Sequence, residues 1–393
     1  MPESSSAVTE TSVRQLIGVA VLIAALSVDL TPVRFSEVAA SRWIVLGALA
    51  LAGIYAARTL DRLSTAERLL FATFGWVLVV APLSPTPLRS AVVAAALAGT
   101  VALGVWIGRH VSWENIQSAA VAGLTGILAI AVVLGDRGSD DGRWLGLSEE
   151  ANALGEVAAI AVVFGAAALV RRNVLAAPAV LLGVLVLFQT AATIPSFAAF
   201  VGVMVVLRPL LANVSPALSR NLAAALVGIP VVGLALVAWL GTGAVGPESD
   251  SLTTLNRRTG IWSFLYEQIL ERPFTGYGPW SAGDLMSAAP FDARVTWGPT
   301  HGHNVFVELA TMGGLPAAGL FLAAIAVTGW ALVRSGHPAG AVAVTLLAMS
   351  MTEHLVATPS LALVLIGMIA GPSGAAKASA LNRTLQSLSP TRR

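Results

Sequence analysis

Ala91-Val92-Val93-Ala94-Ala95-Ala96-Leu97-Ala98-Gly99-Thr100-Val101-Ala102-Leu103-Gly104-Val105-Trp106-Ile107-Gly108 runs for eighteen residues without a charge and stops at Arg109. A helix needs about 20 apolar residues to cross a bilayer, fewer where its flanking residues snorkel. With Leu88 to Ser90 in front, this stretch is long enough. Eleven more runs of this kind bring the expected spans to twelve, near 14–30, 43–58, 67–83, 88–108, 116–135, 151–170, 174–190, 194–212, 220–241, 303–333, 338–353 and 359–373. Pro178, Pro195, Pro230 and Pro316 fall inside them and are tolerated, because neighbouring helices re-satisfy the backbone. The composition agrees. The chain is 56% hydrophobic and 11% charged, with mean hydropathy +0.80, against about 25% charged residues in soluble domains. An all-α polytopic membrane protein is expected. The apolar run after the polar stretch Met1–Thr11 reads as a retained first helix, since no convincing small-residue cleavage site follows it.

Charge sets the expected orientation. With both termini cytoplasmic, the inner segments hold 14 of the 23 basic residues: Arg14, Arg58, Arg62, Arg68, Arg109, Arg171, Arg172, Arg208, Arg220, Arg334, Lys377, Arg383, Arg392 and Arg393. Short outer loops hold five, namely Arg34, Arg42, Arg89, Arg137 and Arg143. Positive residues favour the cytoplasmic side, and long loops are exempt from the rule. The long polar stretch 242–302 is therefore expected outside the cytoplasm, together with His301, His303 and His354. His110 and His337 fall on the inner side. A net charge of +2 and no dense basic run exclude a nucleic-acid surface. The absence of cysteine excludes disulfides and thiolate chemistry.

Within the polar stretch, Asn256 to Leu270 has Ile261, Trp262, Leu265, Ile269 and Leu270 near a 3.6-residue period, and Pro273 stops it. This predicts an amphipathic helix. Its bland reading is an interfacial helix with arginines at lipid headgroups and Trp262 as anchor. Its functional reading has Arg258, one turn from Trp262, forking onto a phosphate or diphosphate. Pro273-x-x-Gly276-x-Gly278 resembles a phosphate loop only superficially, and its glycines are expected to serve a tight turn. His303-Asn304 opens the tenth span. An imidazole there can take a proton near neutral pH, and a helix start favours an anion. Glu308 should face Asn304 and be rotated away from His303, so no direct dyad is expected. His301-x-His303 supplies only two ligands, too few for a metal site. Glu156 and Glu353-His354 are ionisable groups close to the membrane, which makes them functional candidates.

Taken in order, Arg258-x-x-x-Trp262, Pro273-x-x-Gly276-x-Gly278, and His303-Asn304 followed by Gly313-Gly314 and Gly319 resemble the O-antigen ligase and O-antigen polymerase superfamily. Arg143-x-x-Gly146 and Asn152 agree with the segment leading into that family's middle spans. The resemblance covers roughly 133–370. It divides the chain into N-terminal spans (1–132), a ligase/polymerase-like core (133–373) that includes the outer loop 242–302, and a cytoplasmic tail (374–393). It implies transfer of a glycan from an undecaprenyl-diphosphate carrier to a glycan, lipid or protein acceptor, on the outer face of the cytoplasmic membrane. The transfer would invert the anomeric centre and need no metal or other cofactor. Arg258 would hold the diphosphate and His303 would activate the acceptor hydroxyl. Arg257, Arg272, Arg294, Trp262, His301, Asn304 and Glu353 would line the substrate. One departure stands out: where the family has a second arginine at the start of the eighth span, Thr190 to Ser196 carries no basic residue. Arg257, Arg272 or Arg294 then supplies that charge, or donor binding differs, or the function has diverged. A transporter or flippase and a non-catalytic scaffold are the alternatives.

Overall fold

The structure is a computed structural model that describes residues 16–23, 26, 40–134, 151–215, 217, 258–288, 302–335, 337–351 and 360–371. It is 87% helical, with no strand among the described residues. The helices are α1 (Ala40–Arg58), α2 (Thr65–Val80), α3 (Pro87–His110), α4 (Trp113–Leu134), α5 (Ala151–Val170), α6 (Ala177–Thr190), α7 (Thr193–Val214), α8 (Arg258–Glu271), α9 (Ser281–Ala288), α10 (Val305–Ser335), α11 (Ala339–Ser350) and α12 (Leu361–Gly371). A further helical segment covers 16–23.

Among the described residues, five helices are long and apolar enough to cross a membrane: Thr65–Leu83, Pro87–His110, Trp113–Leu134, Asn152–Val170 and Val305–Val333. The apolar parts of α1, α6, α7, α11 and α12 are shorter, at 10–17 residues. The expected span 220–241 lies outside the described residues, and of 14–30 only 16–23 and 26 are described. Pro178 falls within the first two residues of α6, and Pro195 is the third residue of α7. A missing backbone donor costs nothing in a first turn, so neither proline interrupts a helix.

Ion pairs and hydrogen bonds at the helix ends show how the helices alternate in direction. Arg109, at the end of α3, donates from Nε to Glu67 Oε1 in the first turn of α2 at 2.6 Å. Glu67 also closes a capping box with Ser64. Arg171, after α5, meets Glu114 at the start of α4 at 3.5 Å, and Arg208 of α7 donates to the Val333 carbonyl near the end of α10 at 2.6 Å. Trp113 stacks on Phe164 and meets His337 edge-on at this same end. Arg58, Arg62, Arg68, Arg109, Arg171, Arg172 and Arg208 thus share one end of the bundle. Arg89, Arg258 and Arg272 belong to the other, with α8, α9 and the start of α10.

α10 is broken. Gly313 (φ −135°, ψ 17°) and Gly314 (φ 72°, ψ −179°) leave helical geometry three residues before Pro316. The Pro273–Gly278 loop fills the gap. Tyr277 N–H donates to Thr311 O (2.7 Å), Gly278 N–H to Met312 O (2.9 Å) and Leu315 N–H to Pro273 O (2.7 Å). Trp76 Nε1 of α2 donates to Gly313 O at 2.8 Å and Phe274 O at 3.2 Å. The glycines of the loop therefore do make the tight turn expected of them: Gly276 and Gly278 have φ of 60° and 94°. They also permit backbone-to-backbone contact, since a Cβ on Gly276 would stand 2.5 Å from Thr311 O.

Candidate functional site

The amphipathic face of α8 turns inward. Ile261, Trp262 and Leu265 form a small core with Ala282 and Met286 of α9, against which Val307 of α10 packs. Ile269 is buried as well, whereas Leu270 is 56% exposed, about 100° further round the helix. The described part of α8 is thus a packed element of the protein, not a helix laid on lipid as its bland reading would have it. Trp262 is 1% exposed, and its Nε1 donates to the Gly302 carbonyl at 2.7 Å. Arg258 is 8% exposed and sits one turn before Trp262, at the head of the same helix. Four residues apart, Arg258 and Trp262 fall on one face of α8.

The Gly302 contact ties α8 to the start of α10. There His303 adopts φ 47°, a left-handed angle uncommon for a residue with a Cβ, although histidine takes it more readily than most. It is 4% exposed. Asn304 is fully buried and caps α10. Its Oδ1 accepts from Phe306 N–H (2.9 Å) and Val307 N–H (3.0 Å), and its Nδ2 donates to Met351 O beyond α11 (2.6 Å). Such a cap satisfies the donors that every helix start leaves open. Glu308 is 1% exposed and points back across the turn, accepting the Gly302 N–H on Oε2 at 2.7 Å.

Arg272 is elsewhere. The 14 residues of α8 span about 20 Å at 1.5 Å per residue, which puts Arg258 and Arg272 at opposite ends. Arg272 is exposed, and its guanidinium lies 4.6 Å from the centre of the Tyr277 ring. Tyr277 donates its hydroxyl to Glu271 Oε2 at 2.9 Å. Burial and that neighbouring carboxylate both raise the phenol above its ordinary value. A single diphosphate at Arg258 is out of reach of Arg272.

A basic group that sequence reasoning assigned only to an outer loop proves relevant here. Arg89, in the first turn of α3, forms an ion pair with Asp284 of α9 at 3.1 Å and lies 5.6 Å from the Trp280 ring. An open cavity of about 600 Å³ lined by Thr86, Pro87, Leu88, Arg89 and Val92 adjoins it. With the partners 195 positions apart in sequence, no local spacing could have signalled the pair.

The structure therefore brings Trp262 of α8 to Gly302, beside His303, Asn304 and Glu308, with Arg258 one turn before Trp262 on the same helix and Arg272 past its other end. Arg257, Arg294, His301 and Glu353 lie outside the described residues. Glu156 is half-buried in the first turns of α5. No family model matches the chain, and no curated protein matches it.

Proposed function

We propose that this chain is a membrane glycan transferase that moves a saccharide from an undecaprenyl-diphosphate carrier to an acceptor hydroxyl at the outer face of the cytoplasmic membrane. The arrangement is twelve-span, with both termini inside and the 242–302 loop outside. The acceptor oxygen attacks the anomeric carbon and the carbon–oxygen bond to the diphosphate breaks, with inversion. The acceptor proton passes to the His303 imidazole, and the carrier diphosphate leaves with the bonding pair. Arg258 stabilises the charge that develops on that leaving group, an interaction worth most in a site closed to water. A neutral imidazole is suited to taking a hydroxyl proton near pH 7.

The observation that supports this reading is the Trp262 Nε1–Gly302 O hydrogen bond at 2.7 Å. It couples two motifs 40 residues apart, so that the head of α8 with its arginine and the histidine turn belong to one buried unit. A cation and a base that act on one substrate need to be held in such a common frame.

Purified protein in proteoliposomes, supplied with a carrier-linked glycan and an acceptor, tests it. His303→Ala should lower transfer by about 10²–10⁴-fold, the range for loss of a general base. Arg258→Ala should lower it by about 10²–10³-fold, as for loss of one transition-state donor. Wild-type glycan output from both variants would sink the proposal. Loss of transfer on adding EDTA would overturn its metal-independence, and carrier crossing the bilayer with its glycan still attached would favour a flippase.

A further inference from the structure

We propose that Glu308 and Trp262 are positioning residues that aim the His303 imidazole by gripping the backbone just before it. The inference rests on the reading of His303 as the base; it adds Glu308, and it gives Trp262 a role through the backbone in place of the substrate contact expected of it from the sequence. Both polar groups of Gly302 are taken by buried side chains. Its carbonyl accepts from Trp262 Nε1 at 2.7 Å, and its N–H donates to Glu308 Oε2 at 2.7 Å. The two side chains are each 1% exposed. There is little slack around the glycine: an added Cβ would meet Glu308 Oε2 at 3.1 Å, Leu265 Cδ1 at 3.2 Å and Val307 Cγ1 at 3.4 Å.

On the other side of His303, Asn304 is pinned by its cap to Phe306 and Val307 and by its bond to Met351 O. His303 is thus the single link between two clamped residues, and it alone takes the left-handed angle, φ 47°. A left-handed residue in a plain turn is ordinarily glycine. Here glycine occupies 302, where the space is tight, and the histidine carries the strain. Backbone strain of this sort persists only where the surroundings over-determine it. The gripping carboxylate comes from α10, one turn beyond Asn304, and the gripping indole from α8. The direction of the imidazole is therefore set jointly by the helix that carries the histidine and the helix that carries Arg258.

The grip on Gly302 N–H needs an acceptor and not a charge, so an amide can replace the carboxylate. In the proteoliposome transfer assay, Glu308→Gln should keep kcat within about threefold of wild type. Glu308→Ala and Trp262→Phe should each lower kcat by about 100-fold, the scale of an ångström-sized misplacement, with KM for the carrier-linked donor unchanged. A second readout does not depend on activity. In protein labelled at its five histidines, the His303 ring signal is identified by its loss in His303→Gln. That signal should move or broaden in Glu308→Ala and Trp262→Phe, and keep its wild-type position in Glu308→Gln.

A wild-type His303 signal in both Glu308→Ala and Trp262→Phe overturns the proposal whatever the transfer assay gives. So does full kcat in both, when His303→Ala is inactive; that result leaves the site reading intact. Full transfer by His303→Ala, together with a displaced ring signal in Glu308→Ala, sinks the site reading and leaves the grip standing. Should Glu308→Ala fail to fold, Trp262→Phe, which keeps the apolar bulk, carries the same comparison.

Discussion

Replacing Gly276 by alanine probes the contact between the 273–278 loop and the break in α10. Gly276 has φ 60°, so an alanine there costs about 1–2 kcal/mol in backbone conformation alone. Its Cβ would stand 2.5 Å from Thr311 O and 2.7 Å from Gly313 N and Met312 C. These are backbone atoms of α10, with no flexible side chain to swing aside. Two escapes are open. The loop can stay and force α10 outward, an overpacking cost of about 1–3 kcal/mol. Or it can lift and lose the bonds made by Tyr277 N–H, Gly278 N–H and Leu315 N–H, each worth about 1 kcal/mol. The local loss is about 2–5 kcal/mol by the first route and about 4–5 kcal/mol by the second. At 1.4 kcal/mol per tenfold, amide exchange at Tyr277, Gly278 and Leu315 should speed up by about 30- to 3000-fold. Mass-spectrometric hydrogen exchange on the detergent-solubilised protein measures this directly. Gly260→Ala is the control: it lies in the first turn of α8, nothing stands within 4 Å of its added Cβ, and alanine should be neutral or stabilise by up to about 1 kcal/mol. Exchange at the three amides within about threefold of wild type in Gly276→Ala would refute the reasoning.

Glu67→Ala should destabilise the protein by about 2–4 kcal/mol, because it takes the carboxylate from Arg109, leaving it the Asp61 and Arg62 carbonyls, and opens the Ser64 capping box at once. A thermal midpoint restored largely by the apolar pair Glu67→Leu with Arg109→Met would show that the cost lies in the broken pairing. His337, between α10 and α11, is held below its ordinary value of 6.5, first by burial and then by Arg171, with Glu114 opposing. Its neutral form is favoured when folded, so the stability it contributes is full above pH 6.5 and is lost as pH falls through its depressed value. Unfolding midpoints of wild type should therefore drop on acidification below about pH 6.5, and His337→Gln should flatten that part of the curve; parallel curves would refute the assignment.

Much of the fold was legible because lipid imposes one demand, an unbroken apolar run with its backbone satisfied from within. Leu88 to Gly108 answers it, and α3 appears where that run predicts. Charge sorting was legible for a similar reason: Arg109, Arg171 and Arg208 flank apolar runs, and in the structure they share an end with the helix termini they bond. The break at Gly313-Gly314 was not read from the sequence, because hydropathy is blind to backbone angle. Its signal was two glycines shortly before Pro316 in a run too long for one straight span, matched by Gly276 and Gly278 in the polar loop. The inner face of α8 was read correctly at Ile261, Trp262, Leu265 and Ile269. What covered that face was not, since the same period suits a lipid surface or a protein core. Glu308 shows a different limit. Helical spacing aims it toward Asn304, yet its carboxylate accepts the Gly302 N–H across the left-handed turn at His303, and no spacing rule anticipates that.

The break in α10 also bears on the transporter alternative. Discontinuous spans in transporters leave helix ends and unwound carbonyls free to coordinate substrate or ions. Here the released carbonyls are occupied by the protein: Thr311 O by Tyr277 N–H, Met312 O by Gly278 N–H and Gly313 O by Trp76 Nε1. An ion at this break would have to displace three donors from two other segments of chain. Rocking α10 against α2 would part the Trp76 contact as well. The same bonds suit a transferase, which needs its base held still relative to its cation while a long lipid-linked donor comes and goes. The lower half of α10 is anchored in the bundle, and its upper segment, Val305 to Met312, is fixed by the 273–278 loop, which runs on from α8. Arg258 at the far end of α8 and His303 at the head of α10 are therefore joined twice, through Gly276 to Gly278 below and through Trp262 above. Cutting either link should loosen the geometry between cation and base before it unfolds a span, and that ordering separates a structural brace for chemistry from a moving part.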